Sequence, residues 1–354
     1  MSLDELRPLP GYVPGKPYYI AGPCSAESCG QVLEAARELS RAGVAVFRAG
    51  LWKPRTHPGG FEGVGEAGLE WLAEVKRETG MYVATEVATR EHVIAALHGG
   101  VDLLWIGART SANPFAVQEI ADTLREMDAE AAVMVKNPVS PDLELWIGAL
   151  QRLHSAGVRQ LGAIHRGFST YGRGPLRNPP HWSIPIELRR RVPGLPLVCD
   201  PSHIAGRRDL VPGIATEAMA MGFGGLIVEC HPTPTEALSD AAQQLTPAEF
   251  ISLISSLPCR SGGYEEPELD ELRRQIDRAD AQLLDILAQR MNVSRRIGDL
   301  KRRNGMTVVQ PDRYRKLIET RRAEGAALGL GPEFLETILR AIHEESVRQQ
   351  IREN

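Results

Sequence analysis

Two short apolar runs in this chain end in side chains that can hold a metal ion. Val198-Cys199 leads into Asp200-Pro201-Ser202-His203. Gly225-Leu226-Ile227-Val228 leads into Glu229-Cys230-His231, with Asp240 shortly after. Imidazoles together with carboxylates suit a divalent transition metal such as Mn, Fe, Co or Zn. A histidine after a strand is more often a satisfied structural residue, so these residues gain meaning only from their company. That company is charged. Arg48, Arg109, Lys136 and Arg166 each stand at or just past the end of another apolar run, as do Cys24 and Glu86, and Lys53 and Arg55 lie in the loop Lys53-Pro54-Arg55-Thr56. Six cations facing one cavity would repel one another if it stayed empty. They call for substrates with several negative charges, phosphates and a carboxylate, which guanidinium forks bind in bidentate geometry.

The runs that carry these groups alternate with helical patterns. Strands are expected at 18–22, 44–48, 82–86, 102–107, 132–136, 159–165, 195–199 and 225–229, with helices at 28–42, 66–78, ending near 97, 113–127, 141–155, 184–191, 210–221 and 247–257. The strands are short, apolar and β-rich, as strands buried on both faces should be. Eight strand–helix units in about 240 residues predict an α/β fold, a (β/α)8 TIM barrel, in which chemistry gathers at the C-terminal ends of the strands. An open doubly wound sheet is the alternative, but it would not need eight units. Gly63-Val64-Gly65-Glu66-Ala67-Gly68 matches a dinucleotide fingerprint, with Glu86 about 20 residues on, yet that motif must directly follow a strand. Here a Pro/Gly-rich loop separates it from Arg48, so the glycines read as a loop entering a helix.

The 354 residues are too many for one ordinary core and suit two domains. A 43% apolar and 24% charged composition is that of a soluble globular protein, and a net charge of −4 implies no bulk attraction to nucleic acid or anionic membrane. No apolar run approaches the ~18 residues of a membrane span, and residues 1–17 lack the basic-then-apolar pattern of a signal peptide. The five cysteines, at 24, 29, 199, 230 and 259, form no CxxC pair. Thiols in a reducing cytosol are the expectation, and with them a cytoplasmic location.

Several motifs occur in order: Gly22-Pro23-Cys24-Ser25-Ala26-Glu27, Arg48 with Lys53-Pro54-Arg55-Thr56, Ile106-Gly107-Ala108-Arg109-Thr110, Asp200-Pro201-Ser202-His203, and Glu229 to Asp240. Together they resemble 3-deoxy-D-arabino-heptulosonate 7-phosphate (DAHP) synthases of the short microbial type, over nearly all of residues 18–245. The resemblance implies condensation of phosphoenolpyruvate (PEP) with erythrose 4-phosphate, the first step of the shikimate pathway to aromatic amino acids. C3 of PEP attacks the aldehyde, water attacks C2, and phosphate leaves. It also implies the metal ligands Cys24, His203, Glu229 and Asp240, with His231 beside them rather than among them. The metal would act as a Lewis acid on the aldehyde oxygen. Arg48, Lys53, Arg109, Lys136 and Arg166 match the PEP site, and Lys53, Pro54, Arg55 and Thr56 the erythrose 4-phosphate site. Lys53 is the expected catalytic proton carrier, because a lysine crowded by cations has a depressed pKa. Glu86 would orient a water or a lysine. Asn137-Pro138 follows Lys136 where some relatives have Arg-Gly, and 168–173 reads as a loop placed to cover substrate. No extra regulatory domain is expected before Tyr18. A sibling enzyme that condenses PEP with a five-carbon sugar phosphate fits the Lys53–Thr56 loop less well.

The alternation stops near 258. Residues 259–266 read as a linker between a barrel of residues 1–258 and a helical domain of residues 267–354. Apolar residues from Leu269 to Leu300 recur at helical spacing, and a helix of ~36 residues would span about 54 Å. That is too long to bury its stripe within one small domain, so it wants a partner chain. Two shorter helices follow, near 311–327 and 332–352.

This part resembles an all-α, three-helix chorismate mutase, with Arg273, Arg290, Lys301, Arg313, Ser346 and Gln350 as the matching chorismate or prephenate contacts. At about 100° per residue, Arg290 and Lys301 lie ~20° apart around the axis, and Arg273 is roughly 100° off their line. The resemblance explains this by an interlocked homodimer, in which the first arginine serves the partner's site; a higher oligomer is left open. It implies rearrangement of chorismate to prephenate without a covalent intermediate, with Lys301 and Gln350 as catalytic donors to the ether oxygen. Gln310-Pro311-Asp312-Arg313-Tyr314 departs from relatives that carry Glu where Tyr314 stands. Feedback inhibition of the synthase through the helical domain is expected. The alternative is that this domain only senses chorismate or prephenate and dimerises. The partners are thus small molecules, with neither nucleic acid nor membrane.

Overall fold

The computed structural model describes residues 5–53, 59–170, 174–257 and 267–351. Eight strands, β1 (Tyr18–Gly22), β2 (Val46–Arg48), β3 (Tyr82–Val87), β4 (Leu103–Ile106), β5 (Ala132–Lys136), β6 (Gln160–His165), β7 (Leu197–Cys199) and β8 (Gly225–Glu229), are buried at nearly every position. They pair in parallel in chain order, and β8 returns to β1 with Gly22 opposite Glu229, closing the barrel. The helices between them are α1 (Cys29–Arg41), α2 (Ala67–Thr79), α3 (Arg90–His98), α4 (Ala108–Ser111), α5 (Pro114–Glu126), α6 (Leu143–Ser155), α7 (Ser183–Arg191), α8 (Pro201–Ala205), α9 (Val211–Ala220) and α10 (Pro247–Ser256).

Two apolar cores hold this unit together. Ile20, Val46, Leu103, Trp105, Met134, Ile164, Val198 and Ile227 fill the barrel, and a larger core lies between strands and helices. The barrel is therefore packed rather than a pore, and in such barrels the active site gathers at the C-terminal ends of the strands. The strand pattern holds closely; most bounds move by at most one residue, and β2 and β7 start two residues late. β7 starts at Leu197 rather than 195, because Pro196 has no N–H for the ladder and contributes only its carbonyl, to Ala163 at 2.8 Å. β2 likewise begins at Val46. The one-turn helices α4 and α8 lie in stretches whose polar residues carry no apolar period. The glycines of 63–68 pack against Leu51, where a Cβ on Gly63 would collide with the Leu51 carbonyl, and no strand directly precedes them.

The chain divides into two compact units, Met1–Gly262 and Gly263–Asn354. The second holds α11 (Pro267–Arg303), α12 (Pro311–Ala327) and α13 (Pro332–Ile351). Gly298 lets α13 approach α11 closely, since a Cβ there would lie 2.6 Å from the Gln350 carbonyl oxygen. Leu272, Ile276, Leu283 and Ile286 of α11 are 49–61% exposed within the single chain. Among the described residues no helix is long and apolar enough to cross a membrane.

Candidate active site

β7 is followed directly by Asp200, which caps α8. Its Oδ1 accepts the His203 backbone N–H at 3.1 Å, and its Oδ2 lies 2.8 Å from both Lys136 Nζ and His203 Nδ1. The carboxylate thus fixes the imidazole, a common arrangement for metal-binding histidines, and leaves Nε2 3.8 Å from Glu229 Oε1. Burial opposes the charge on Asp200, but His203 and Lys136 outweigh it and hold the carboxyl well below its usual range.

Glu229, at the end of β8, is fully buried. Arg48 Nη1 donates to its Oε1 at 3.2 Å, Nη2 donates to the Cys24 carbonyl at 2.9 Å, and the guanidinium stacks 4.7 Å above the Trp105 ring. Cys24 Sγ lies 3.5 Å from Asp240 Oδ2 and 3.1 Å from Lys53 Nζ. Cys24, Glu229 and Asp240 each bring a ligand atom within 4.8 Å of the other two. His203 stands beside this group. His231 faces away, its Nδ1 accepting the Thr233 N–H at 3.0 Å and its Nε2 3.5 Å from Glu27.

Burial pushes the Cys24 thiol up to about 12, helped by Glu229 and Asp240. Burial also opposes charge on the two carboxyls, yet both are held low, Glu229 by His203 and Arg48, and Asp240 by His203 and Arg177. Lys53 departs from the expected depression. Burial and Arg48 push it down, but Cys24 when ionised, Glu86 and Glu229 outweigh them, and the ammonium is held above its usual value. Glu86 and Glu229, far from Lys53 along the chain, become its neighbours only in the fold. A thiol, two ionised carboxylates and an oriented imidazole make a donor set that fits a divalent transition metal.

Lys53, Glu86, Arg109, Lys136, Arg166, His203 and Asp240 line one cavity of about 70 Å³ at the strand ends. Arg166 is pulled down to about 10 by burial and by Arg177 and Arg109, and it stays cationic at neutral pH. Glu86 Oε2 accepts from Trp105 Nε1 at 3.2 Å, and Gly107 supplies the room, since a Cβ there would strike Glu86 Oε1. Arg48, expected among the PEP contacts, is 1% exposed and is not among the residues lining this cavity. Pro54, Arg55 and Thr56, and positions 171–173 of the 168–173 loop, lie outside the described residues. A larger groove of about 740 Å³, floored by Pro212, Leu245 and Leu253, lies elsewhere. Arg207, Arg208, Asp209 and Glu249 line it as well, but none of the Cys24, His203, Glu229 and Asp240 group does.

In the helical unit, Arg290 Nη1 donates to Ser346 Oγ, whose hydroxyl donates to the Ile342 carbonyl at 2.7 Å. Lys301 Nζ donates to the Val308 carbonyl at 2.5 Å, and Gln350 Oε1 is buried without a hydrogen-bond partner. Arg273 stands apart on the same helix, exposed and paired with Asp270 at 3.1 Å, about 26 Å along the axis from Arg290. Arg313 is exposed. Tyr314 packs on His343, ring centres 4.1 Å apart.

Arg177, Gln243, Gln244 and Trp105 also build the site, though no motif in the sequence marks them. Gln243 Nε2 donates to Glu229 Oε2 at 2.7 Å, Arg177 Nη1 reaches Gln243 Oε1 at 2.8 Å and Asp240 Oδ1 at 3.2 Å, and Gln244 Oε1 accepts the Cys24 N–H at 3.0 Å. Neutral amides three and four residues past an acidic ligand follow no spacing rule; only the pairing of Gln243-Gln244 beside Asp240 could have drawn notice.

This geometry defines a barrel enzyme for small polyanionic substrates, with a helical unit attached. Residues 14–257 match the DAHP synthetase I family, and residues 272–351 match chorismate mutase type II. A phospho-2-dehydro-3-deoxyheptonate aldolase of Thermotoga maritima is 36% identical over 238 residues, 67% of this chain and 68% of that protein. A 2-dehydro-3-deoxyphosphooctonate aldolase of Nitratidesulfovibrio vulgaris is 30% identical, over 68% of this chain and 90% of that one. The crystal structure of a Thermotoga maritima DAHP synthase superposes with a TM-score of 0.62 at 34% identity, covering 68% of each chain. The chain belongs to the DAHP synthetase I family and carries a C-terminal chorismate mutase type II domain. It is an enzyme with a transferase domain and an isomerase domain, of the shikimate route to aromatic amino acids.

Proposed function

We propose that the barrel, residues 1–258, joins PEP to erythrose 4-phosphate in a metal-dependent reaction. The observation that carries this reading is the Cys24–Glu229–Asp240 group with Lys53 against it, on the same rim as Arg109, Lys136 and Arg166. Cys24, His203, Glu229 and Asp240 would hold a Mn, Fe, Co or Zn ion. When bound, that ion supplies Lewis-acid polarisation of the aldehyde. Arg109, Lys136 and Arg166 take the phosphate and carboxylate of PEP, and Arg48 fixes Glu229 and the Cys24 carbonyl beneath them. Lys53, held protonated, donates to an oxygen that gains negative charge rather than removing a proton. Arg55 and Thr56 take the erythrose phosphate.

Beyond the linker at 259–266, the domain of residues 267–354 converts chorismate to prephenate. Arg290, Lys301, Arg313, Ser346 and Gln350 hold the dianion, and Arg273 comes from a partner subunit. The uncovered apolar face of α11 and the distance of Arg273 from Arg290 support a homodimer. Tyr314 in place of an acid favours a second reading, in which this domain chiefly senses chorismate or prephenate. On either reading, ligand there lowers synthase activity. The composition supports a cytoplasmic protein with small-molecule partners.

The test follows product from PEP with erythrose 4-phosphate or with arabinose 5-phosphate, with and without prephenate. In parallel, prephenate formation from chorismate is measured. DAHP formation that prephenate slows is expected. Turnover of the five-carbon sugar alone would reassign the barrel, and absent prephenate formation would favour the sensor.

A further inference from the structure

We propose that Gln243 and Arg177 are positioning residues that leave Glu229 and Asp240 one oxygen each for the metal ion, and so keep its coordination number low. This rests on the metal-site reading above. Gln243 Nε2 occupies Glu229 Oε2 at 2.7 Å, and Arg177 Nη1 occupies Asp240 Oδ1 at 3.2 Å while holding Gln243 Oε1 at 2.8 Å. The oxygens left over face the other donors. Asp240 Oδ2 is 3.5 Å from Cys24 Sγ, and Glu229 Oε1 is 3.8 Å from His203 Nε2; Oε1 also accepts from Arg48 Nη1 at 3.2 Å, which uses one of its two lone pairs and leaves the other for the ion.

The direction of this chain of bonds is fixed by chemistry. A guanidinium only donates, so the Gln243 amide must turn its oxygen to Arg177 and its NH2 to Glu229. Gln243 is 1% exposed and Glu229 fully buried, so little solvent competes on that side. Asp240 sits at φ +46, a left-handed conformation that a non-glycine residue keeps only when its surroundings hold it. Arg177 is anchored in turn to the helix that carries His203. Its N–H bonds the Ala205 carbonyl at 3.3 Å, Asn178 Nδ2 bonds the His203 carbonyl at 2.7 Å, and the Arg177 stem lies across Gly206, where any Cβ would collide with it. One arginine and one glutamine thereby connect the segments of three ligands. Gln244 adds the fourth through the Cys24 N–H at 3.0 Å and the Ser239 carbonyl at 2.8 Å.

The test uses the full chain, stripped of metal and titrated with Co²⁺ against a competing chelator, and reads affinity and the visible spectrum. Wild type should give a thiolate-to-cobalt band and the intense d–d absorption of a four- or five-coordinate ion. Gln243→Met and Arg177→Met should each weaken Co²⁺ binding about 10- to 100-fold. They should also lower the d–d intensity, as freed oxygens chelate and the coordination number rises. Arg177→Lys should fall between. Arg177 is 46% exposed, so its replacement tests the idea without threatening the fold, and the metal-free melting temperature checks this. Tight wild-type binding with unchanged affinity in both Met variants would overturn the clamp alone, as would lost affinity with an unaltered spectrum. Wild type without the thiolate band would overturn the metal-site reading and the clamp with it.

Discussion

Replacing Asp200 by Asn tests how the rim is held together. Asp200 is fully buried and serves Lys136, the His203 ring and the His203 N–H at once. Asparagine keeps the shape and the helix cap but removes the charge, leaving Lys136, 4% exposed, without its anion. Breaking one side of a buried pair costs about 3–5 kcal/mol. For a unit of this size that is a fall of roughly 6–20 °C in the melting temperature of the barrel. The His203 ring also loses its orienting partner, which should weaken metal binding about 10- to 100-fold. The assay is thermal unfolding of D200N, Lys136→Met and the double variant without metal, with metal affinity measured separately. The double variant should lose less than the two singles added together, by about 0.5–3 kcal/mol. A D200N melting point within ~1 °C of wild type, or strictly additive losses, would refute the reasoning.

His165, buried among Trp146, Phe168, Trp182 and Phe223, is pushed down to about 3, chiefly by burial. The unfolded chain protonates it near its ordinary 6.5, so the neutral ring's contribution is complete above that pH, declines as pH falls towards 3, and changes no further below. At pH 5 the loss is about 2 kcal/mol, and His165→Phe should flatten the acid limb of a stability–pH curve by about one proton; equal slopes would count against it. In the helical unit, Arg273→Ala and Arg290→Ala should each abolish prephenate formation while leaving the metal-loaded synthase rate intact. Mixing the two inactive proteins after unfolding and refolding should restore part of it, because one site of a mixed dimer is then whole. No recovery in verified mixed dimers would argue that each site belongs to one chain.

Much of the fold was legible because parallel strands covered on both faces are continuous apolar runs, and punctuation by charge at their ends marks the rim. The strand bounds at Tyr18–Gly22, Ala132–Lys136 and Gly225–Glu229 follow directly from that contrast. The long period from Leu269 to Leu300 likewise foretold α11. What the sequence hid was partnership. Asp200 reads as a strand-end acid, yet its meaning lies in Lys136, 64 positions away. Lys53 reads as a lysine among cations, while the fold surrounds it with Cys24, Glu86 and Glu229, reversing its shift. Arg177 and the two glutamines carry no pattern, because a hydrogen-bonding clamp is defined by position in space and not by spacing along the chain.

The most direct test is the rate of condensation of PEP with erythrose 4-phosphate by fully chelated protein, with Mn, Fe, Co and Zn salts added back singly. The expected result is a rate near zero after chelation, recovery with at least one of these ions, and no recovery in Cys24→Ser at the ion concentration that saturates wild type. Full activity in protein verified to hold far less than one metal ion per chain would contradict the account.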